Sequence, residues 1–583
     1  MPAARTPASN TAASTLASEL ADLLHDRSAA GAARRHQALD ALIVALDGPG
    51  GPALPGRRVL LALQDALCFL LAYPQSAAER RLAERAADTL AARCRALSPA
   101  ARARLDDSGL AASEMHYAYS YGVVQKLLAR GAPLEIDWDA VDDDAPLIDL
   151  LTLLVAPGES IGLEDISMPL SQWLEACRPR ATPSDLAFVV ELLEGSRLPT
   201  PFRAHLFERC ELPLRLALSA ADSPRLQARA RPARLCTFGA FRRERFALPA
   251  RIRRPLSQRP RRLGARDGRE MVARWLYALG ARELEIYPLI YANSDDVLVV
   301  PLDRAIEVVL VGVAPAWRSP LEVLHFFGVL RNGVPIAYGP TAVFAGCCEL
   351  GINVFEPYRG VEMRAMYSQL LRALHHVLGV DYYFMTPYGM GEGNDEAIRS
   401  GAFWFYRKLG FRPDRPEVEA IARREEARMQ REPGYRSGMR VLRQLSHTGI
   451  SLDLSGGARA PIDFGALGVA QSRYVAERFD GDRSAAEQHG AHVARRALGL
   501  DVRIDPSDDE HAPFIALSTV LSMIARELER WSDAERRALR RVVEAKCGRS
   551  EVAAATRSKA HARLCDLLYR VSHAERARME VEA

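Results

Sequence analysis

The sequence predicts an α+β protein whose central mixed sheet with helices is flanked by N-terminal and C-terminal all-α regions. Three observations carry this. Between residues 15 and 222 apolar residues recur at steps of three and four, as in Leu16, Leu20, Leu23 and Leu24 or Leu60, Leu63, Leu67 and Leu71, which marks one face of a helix. Residues 296–302 (DVLVVPL) and 306–315 (IEVVLVGVAP) are rich in valine and isoleucine, the residues that suit a pleated, half-buried surface. Residues 349–411 then run as apolar stretch, loop, amphipathic helix, apolar stretch, glycine loop and aromatic helix, the order of a crossover between parallel strands.

A chain of 583 residues exceeds what one core supports, so several domains are expected. The expected division is a disordered tail at 1–14, a helical domain at 15–222, an arginine-rich linker at 223–265, the mixed domain at 266–416 and a helical C-terminal extension at 417–583. The sequence contains no uncharged apolar run long enough to span a membrane. Its N-terminus, MPAARTPASNTAAST, lacks an apolar signal core. Nine cysteines without a C-x-x-C pair argue against a disulfide framework or zinc ribbon and suit a cytoplasmic location. The net charge of +4 hides an uneven distribution. Arg225 to Arg269 holds 15 arginines and two acids, a local sum of +13, leaving −9 for the rest. That stretch suits an anionic partner, such as an acyl carrier protein or nucleic acid. The alternative is an arginine-rich linker from an arginine- and alanine-rich proteome.

Local signals fix individual elements. Ser76 with Glu79, Ser532 with Glu535 and Ser572 with Glu575 have capping-box spacing, and Thr182–Asp185 reads as a helix start. Asp137 and Asp139 have a spacing compatible with a divalent cation, but the glycine and terminal glutamate of a calcium loop are missing. The patch is read as a solvated loop whose aspartates cap a helix near Ala145, and no metal is expected. Asn332-Gly333 between two apolar runs predicts a type I′ hairpin. A helix at 361–378 places Met366, Tyr367, Leu370, Leu371, Leu374 and Leu378 on one face. Its N-terminal amides, next to Gly360, form a natural anion site. The Gly391-x-Gly393 loop lacks the third glycine and following acid of a dinucleotide fingerprint.

Taken together, VLRNGVPIAYG, ELGINVFEPYRG and SGAFWFYRKLGF, within about 266–416, resemble the GNAT superfamily of N-acyltransferases. They resemble that family's hairpin of second and third strands, its fourth strand with donor loop, and its last helix ending in Tyr-x-Lys-x-Gly-Phe. The resemblance implies direct transfer of an acyl group from a thioester donor, acetyl-CoA or another acyl-CoA or a carrier-bound thioester, to an amine not identified by the sequence. It implies Tyr406 as the acid that protonates the departing thiolate and Glu349 as the base, with Glu356 as its rival. Backbone groups of Asn353, Val354 and Phe355 would meet the pantetheine arm, one amide there facing the oxyanion. The loop Arg359, Gly360, Val361, Glu362, Met363 and Arg364 would hold the phosphates, with Asn394 nearby.

The sequence departs from the family at two places. Glu362 and Arg364 stand where the donor loop carries small residues, and Arg399 occupies the usual asparagine position, with Asn394 twelve residues before Tyr406. The alternatives are a non-catalytic binding or scaffold protein with a degenerate donor site, or a binder of anionic partners through residues 225–269. Tyr406 also has a purely packing reading, and Glu349 a solvent-facing one.

Overall fold

The computed structural model describes residues 8–47, 54–165, 168–218, 235–239, 247–457, 461–502, 504–505 and 508–582. The N-terminal region is mainly helical, and the apolar stripe of helix Arg57–Ala72 buries Leu60, Leu63, Leu67 and Leu71 completely or nearly so. It also holds a small sheet that helical periodicity does not reveal. Strands β1 (Glu114–Tyr117), β2 (Leu134–Ile136) and β3 (Leu214–Ala217) pair antiparallel in the order β1-β3-β2. Strands of three or four residues are too short to leave an alternating signature.

The large mixed sheet comprises β4 (Arg261–Arg262), β5 (Ala292–Pro301), β6 (Ile306–Val313), β7 (Val323–Arg331), β8 (Val334–Phe344), β9 (Cys347–Leu350), β10 (Asn353–Val354), β11 (Tyr382–Met385), β12 (Arg412–Pro413) and β13 (Ile450–Asp453). Their order is β12-β13-β11-β9-β8-β7-β6-β5-β4, with β10 pairing β8. Among the described strands only β9 and β11 run parallel. The helix Met363–Leu378 makes the crossover between them, burying Met366, Tyr367, Leu370, Leu371, Leu374 and Leu378.

The hairpin between β7 and β8 turns at Asn332 (φ 48°) and Gly333 (φ 76°), with Arg331 opposite Val334. Positive φ at both positions is the type I′ requirement. Asn332 does more than turn the chain. Its Nδ2 donates to the carbonyls of Ala72 (2.9 Å) and Cys236 (2.8 Å), and its Oδ1 accepts from the Cys236 amide at 2.9 Å. Its own carbonyl accepts from Arg80 at 3.0 Å. The turn therefore ties the N-terminal helices to the sheet, and one buried core runs from those helices into the strands. A second cluster holds the C-terminal helices and meets the sheet through Leu321 and Phe344.

Several expectations are corrected. The tail expected over 1–14 gives way to a helix at Ala8, because Ala13, Ala17 and Leu20 continue an apolar stripe that is buried; residues 1–7 lie outside the described residues. Glu79 does not close a capping box. Ser76 accepts the Glu79 amide, but the Glu79 carboxylate turns to the buried Arg35 and the Gln75 amide. Ser532 and Glu535 do form the reciprocal box. Ser572 lies inside helix Ala562–Glu582, where its hydroxyl donates to the Tyr569 carbonyl, and Glu575 pairs with Arg473 at 2.6 Å.

The arginine-rich stretch falls partly outside the described residues, at 225–234 and 240–246. Its described part is packed. Leu248 and Ile252, one helical turn apart, are buried, and the buried Arg372 of the crossover helix donates to the Arg254 carbonyl at 2.8 Å.

Replacing Asn332 with Ala strands the Ala72 and Cys236 carbonyls and puts a Cβ-bearing residue without side-chain support at positive φ. The expected loss is about 2–3 kcal/mol, read as a lower apparent melting temperature by circular dichroism.

Candidate functional site

The site starts from a missing hydrogen bond. Residues 347–354 keep one register against β8, with Thr341 opposite Leu350 and Tyr338 opposite Asn353. The ladder breaks between β9 and β10, opposite Pro340, which has no N–H to donate. On the other side, β11 pairs with β9 only as far as Phe384 opposite Glu349. Its next residue, Met385, pairs with Ile450 of β13. The two parallel strands separate beyond Glu349, and a cavity of about 1350 Å³ opens between them.

The N-terminus of the crossover helix faces this cavity. Met366 makes the first intrahelical bond, to the Glu362 carbonyl at 3.0 Å, so the earlier amides of the first turn have no intrahelical acceptor. Glu362 is the N-cap residue, at φ 46°, but its side chain makes no cap. Its carboxylate is only 1% exposed and is held by Arg331 at 2.7 Å and Arg304 at 3.0 Å. Arg331 is itself buried and stacks on Tyr73 and Phe238. Two guanidiniums thus hold the charge of this residue, which departs from the small residue of the family's loop, out of solvent. Gly360 (φ 83°) has open space around the position a Cβ would take, which leaves the loop backbone accessible.

The remaining expected residues sort clearly. Glu349, Asn353, Val354, Arg359, Gly360, Val361, Glu362, Met363, Arg364, Asn394 and Tyr406 all line the cavity. Phe355 is not among the lining residues. Its ring is buried against Tyr338 and under Arg282, and its amide donates to the Ile336 carbonyl at 3.1 Å. The Val354 carbonyl accepts from Arg359 Nε at 3.1 Å, the Gly351 amide donates to the Pro340 carbonyl at 3.4 Å and Asn353 is paired with Tyr338, which leaves the backbone around Ile352 as the more open part. Arg364 is exposed and donates to the Lys408 carbonyl at 3.2 Å, joining the crossover helix to the end of helix Ala402–Leu409. Asn394 caps helix Asp395–Ser400 by accepting the Ala397 amide at 3.2 Å. The rival base Glu356 lies outside the cavity lining, exposed on a short 3₁₀ turn.

Tyr406 is 6% exposed, packed edge-on against Tyr367, Phe405 and Phe411. Burial raises its phenol well above the ordinary value, against a smaller opposing pull from the Tyr367 hydroxyl. Glu349 is half-buried, and burial raises its carboxyl. Both shifts favour the neutral forms, so Glu349 binds a proton more readily than an ordinary glutamate and Tyr406 stays a phenol.

The cavity also includes residues that sequence reasoning passed over, among them His25, Tyr287, Thr386 and Tyr388. His25 comes from the N-terminal helices, and burial followed by the nearby Arg27 charge lowers its pKa, so it is neutral near pH 7. Nothing local in the sequence connects it to a loop over 300 residues away. Pro340 was readable, since a proline in an interior strand announces a broken ladder.

Among the described residues no cluster of three His, Cys, Asp or Glu is placed to hold a metal, and no helix is long and apolar enough to cross a membrane. In the described part of the arginine-rich stretch, Arg253 donates to the Leu454 carbonyl, Arg254 pairs with Asp303, and Arg262 pairs with Asp296. These contacts hold the fold together. Comparison with family models, curated proteins and solved structures finds no match for the chain.

Removing one partner of a buried ion pair leaves the other charge uncompensated. Glu362→Gln is expected to cost about 3 kcal/mol and lower the apparent melting temperature. Arg359→Ala, at an exposed pair with Glu396, is expected to change stability by less than about 0.5 kcal/mol. Thermal melts of the two variants side by side check the contrast.

Proposed function

We propose that the protein is a GNAT-like N-acyltransferase, with an acyl-CoA or a carrier-bound thioester as donor and an amine as acceptor. The observation that carries this reading is the single cavity that gathers an uncapped helix N-terminus, a pair of splayed parallel strands, a raised carboxyl and a protonated phenol.

The residues fit such a donor. The open first turn after Gly360, with Arg359 beside it, offers amides and positive charge to phosphates. The interrupted strand around Ile352 offers backbone groups to an extended amide-bearing arm. A thioester bound there supplies an activated acyl group. The cavity exceeds the roughly 300–1,000 Å³ of an ordinary small-ligand site, which leaves room for an acceptor as well. Glu349 takes a proton from the incoming ammonium, aided by a carboxyl poised closer to neutral than an ordinary glutamate. The freed amine nitrogen bonds to the thioester carbon as the C–S bond breaks, and Tyr406, protonated across the physiological range, donates its O–H hydrogen bond to the departing sulfur.

The test is transfer to a panel of amines followed by intact-mass detection of acylated product. Tyr406→Phe is expected to lower kcat by about 10²-fold with an unchanged far-ultraviolet circular dichroism spectrum. Full activity of that variant overturns the tyrosine's role.

The sign of the pH effect follows from the raised carboxyl. As pH falls through the Glu349 pKa the base is protonated, so kcat/KM declines on an acidic limb centred above the ordinary carboxylate value. Tyr406 adds no loss below its own raised pKa. Glu349→Gln is expected to lower the rate and remove that limb, which a pH–rate profile of both proteins shows directly.

A further inference from the structure

A second, smaller pocket of about 220 Å³ lies between the large sheet and the C-terminal helices. Its walls are apolar, formed by Phe344, Phe384, Ile462 and Phe464, with the ring of Tyr569 at one side. At about 30 Å³ for each water-sized group, it holds a ring or chain of roughly seven non-hydrogen atoms. Two carboxylates also line it, Glu322 and Asp566, with no lysine, arginine or histidine among the described lining residues. Lys546 is close to Glu322, but its ammonium is engaged by Glu551 and the Glu322 carbonyl.

The pocket adjoins the larger cavity. Ala342 lines both, and its cross-strand partner on β9 is Glu349. Burial, then the neighbouring Glu349 charge, raises the Glu322 carboxyl, so the two acids act on the same region. Apolar walls disfavour a small, fully hydrated amine, whereas the half-buried Glu322 and the exposed Asp566 disfavour an anion and favour a cation.

We propose that this pocket receives the apolar body of the acceptor, which is an amine carried on a hydrophobic or aromatic group with its ammonium turned toward Glu322 and Glu349. This rests on the transferase reading for the word acceptor, but the binding it requires does not. The probe pair is benzylamine and benzyl alcohol, nearly identical in shape and different in charge, titrated into the full chain near neutral pH without any thioester and followed by ligand-observed NMR.

The amine is expected to bind about tenfold more tightly than the alcohol, or more. Glu322→Gln should remove that preference, and Phe464→Ala should weaken both ligands. Equal affinity for the two probes, or amine binding untouched by Phe464→Ala, overturns the proposal. If Glu322→Gln fails to fold by circular dichroism, the amine-to-alcohol ratio in the unaltered chain decides. Benzylamine that binds as expected and is never acylated counts against the transferase reading and supports the pocket.

Discussion

The buried contact of Glu362 with Arg304 and Arg331 is the constraint on which the rest of the site depends. Arg331 ends β7, Arg304 sits in the turn between β5 and β6, and Glu362 begins the crossover helix. Desolvating these charges is costly, and the arrangement is tolerable only because each carboxylate oxygen meets a guanidinium. The three charges sum to +1, so a carboxylate that would repel an anion is outweighed. The same contact holds Glu362 in the left-handed region, a conformation a non-glycine residue keeps only when its surroundings over-determine it. With the side chain drawn beneath the helix, its first-turn amides are left to the cavity. Arg331 also carries Tyr73 and Phe238 on its guanidinium faces, so the N-terminal helices share in fixing the helix end.

The cavity itself comes from a second constraint, the defect at Pro340. A strand without an amide at that point cannot keep its neighbour fully paired, and the loosened backbone at Gly351 and Ile352 falls where the pairing of β9 with β11 ends, β11 staying paired with β13 along its other edge. One strand gives up a hydrogen bond on each side of the same segment. The result is strand backbone open to the cavity between β9 and β11, where it needs water or a ligand as its hydrogen-bond partner.

Much of this was legible in the sequence, for physical reasons that can be named. Asn332-Gly333 demanded positive φ and produced the hairpin. The helix stripe from Met366 to Leu378 demanded one buried face and produced the crossover. Most loop and strand residues singled out for the site do face one cavity, because chain order alone brings a strand end, a helix start and the next strand end together. What was not legible depends on distant partners. The direction of the Glu362 side chain is set by Arg304 and Arg331, about 58 and 31 positions earlier in the chain. His25 reaches the site through tertiary packing alone. Leu248 and Ile252 were masked by the arginines around them, and Phe355 turned inward because Tyr338 and Arg282 offered it a buried contact.

The most direct test of the account is amide hydrogen exchange of the full chain with and without acetyl-CoA, read by mass spectrometry. Binding at the helix start and the interrupted strand predicts slowed exchange in peptides covering 350–354 and 360–366. Unchanged exchange in both segments at saturating ligand, or protection confined to other parts of the chain, would contradict it.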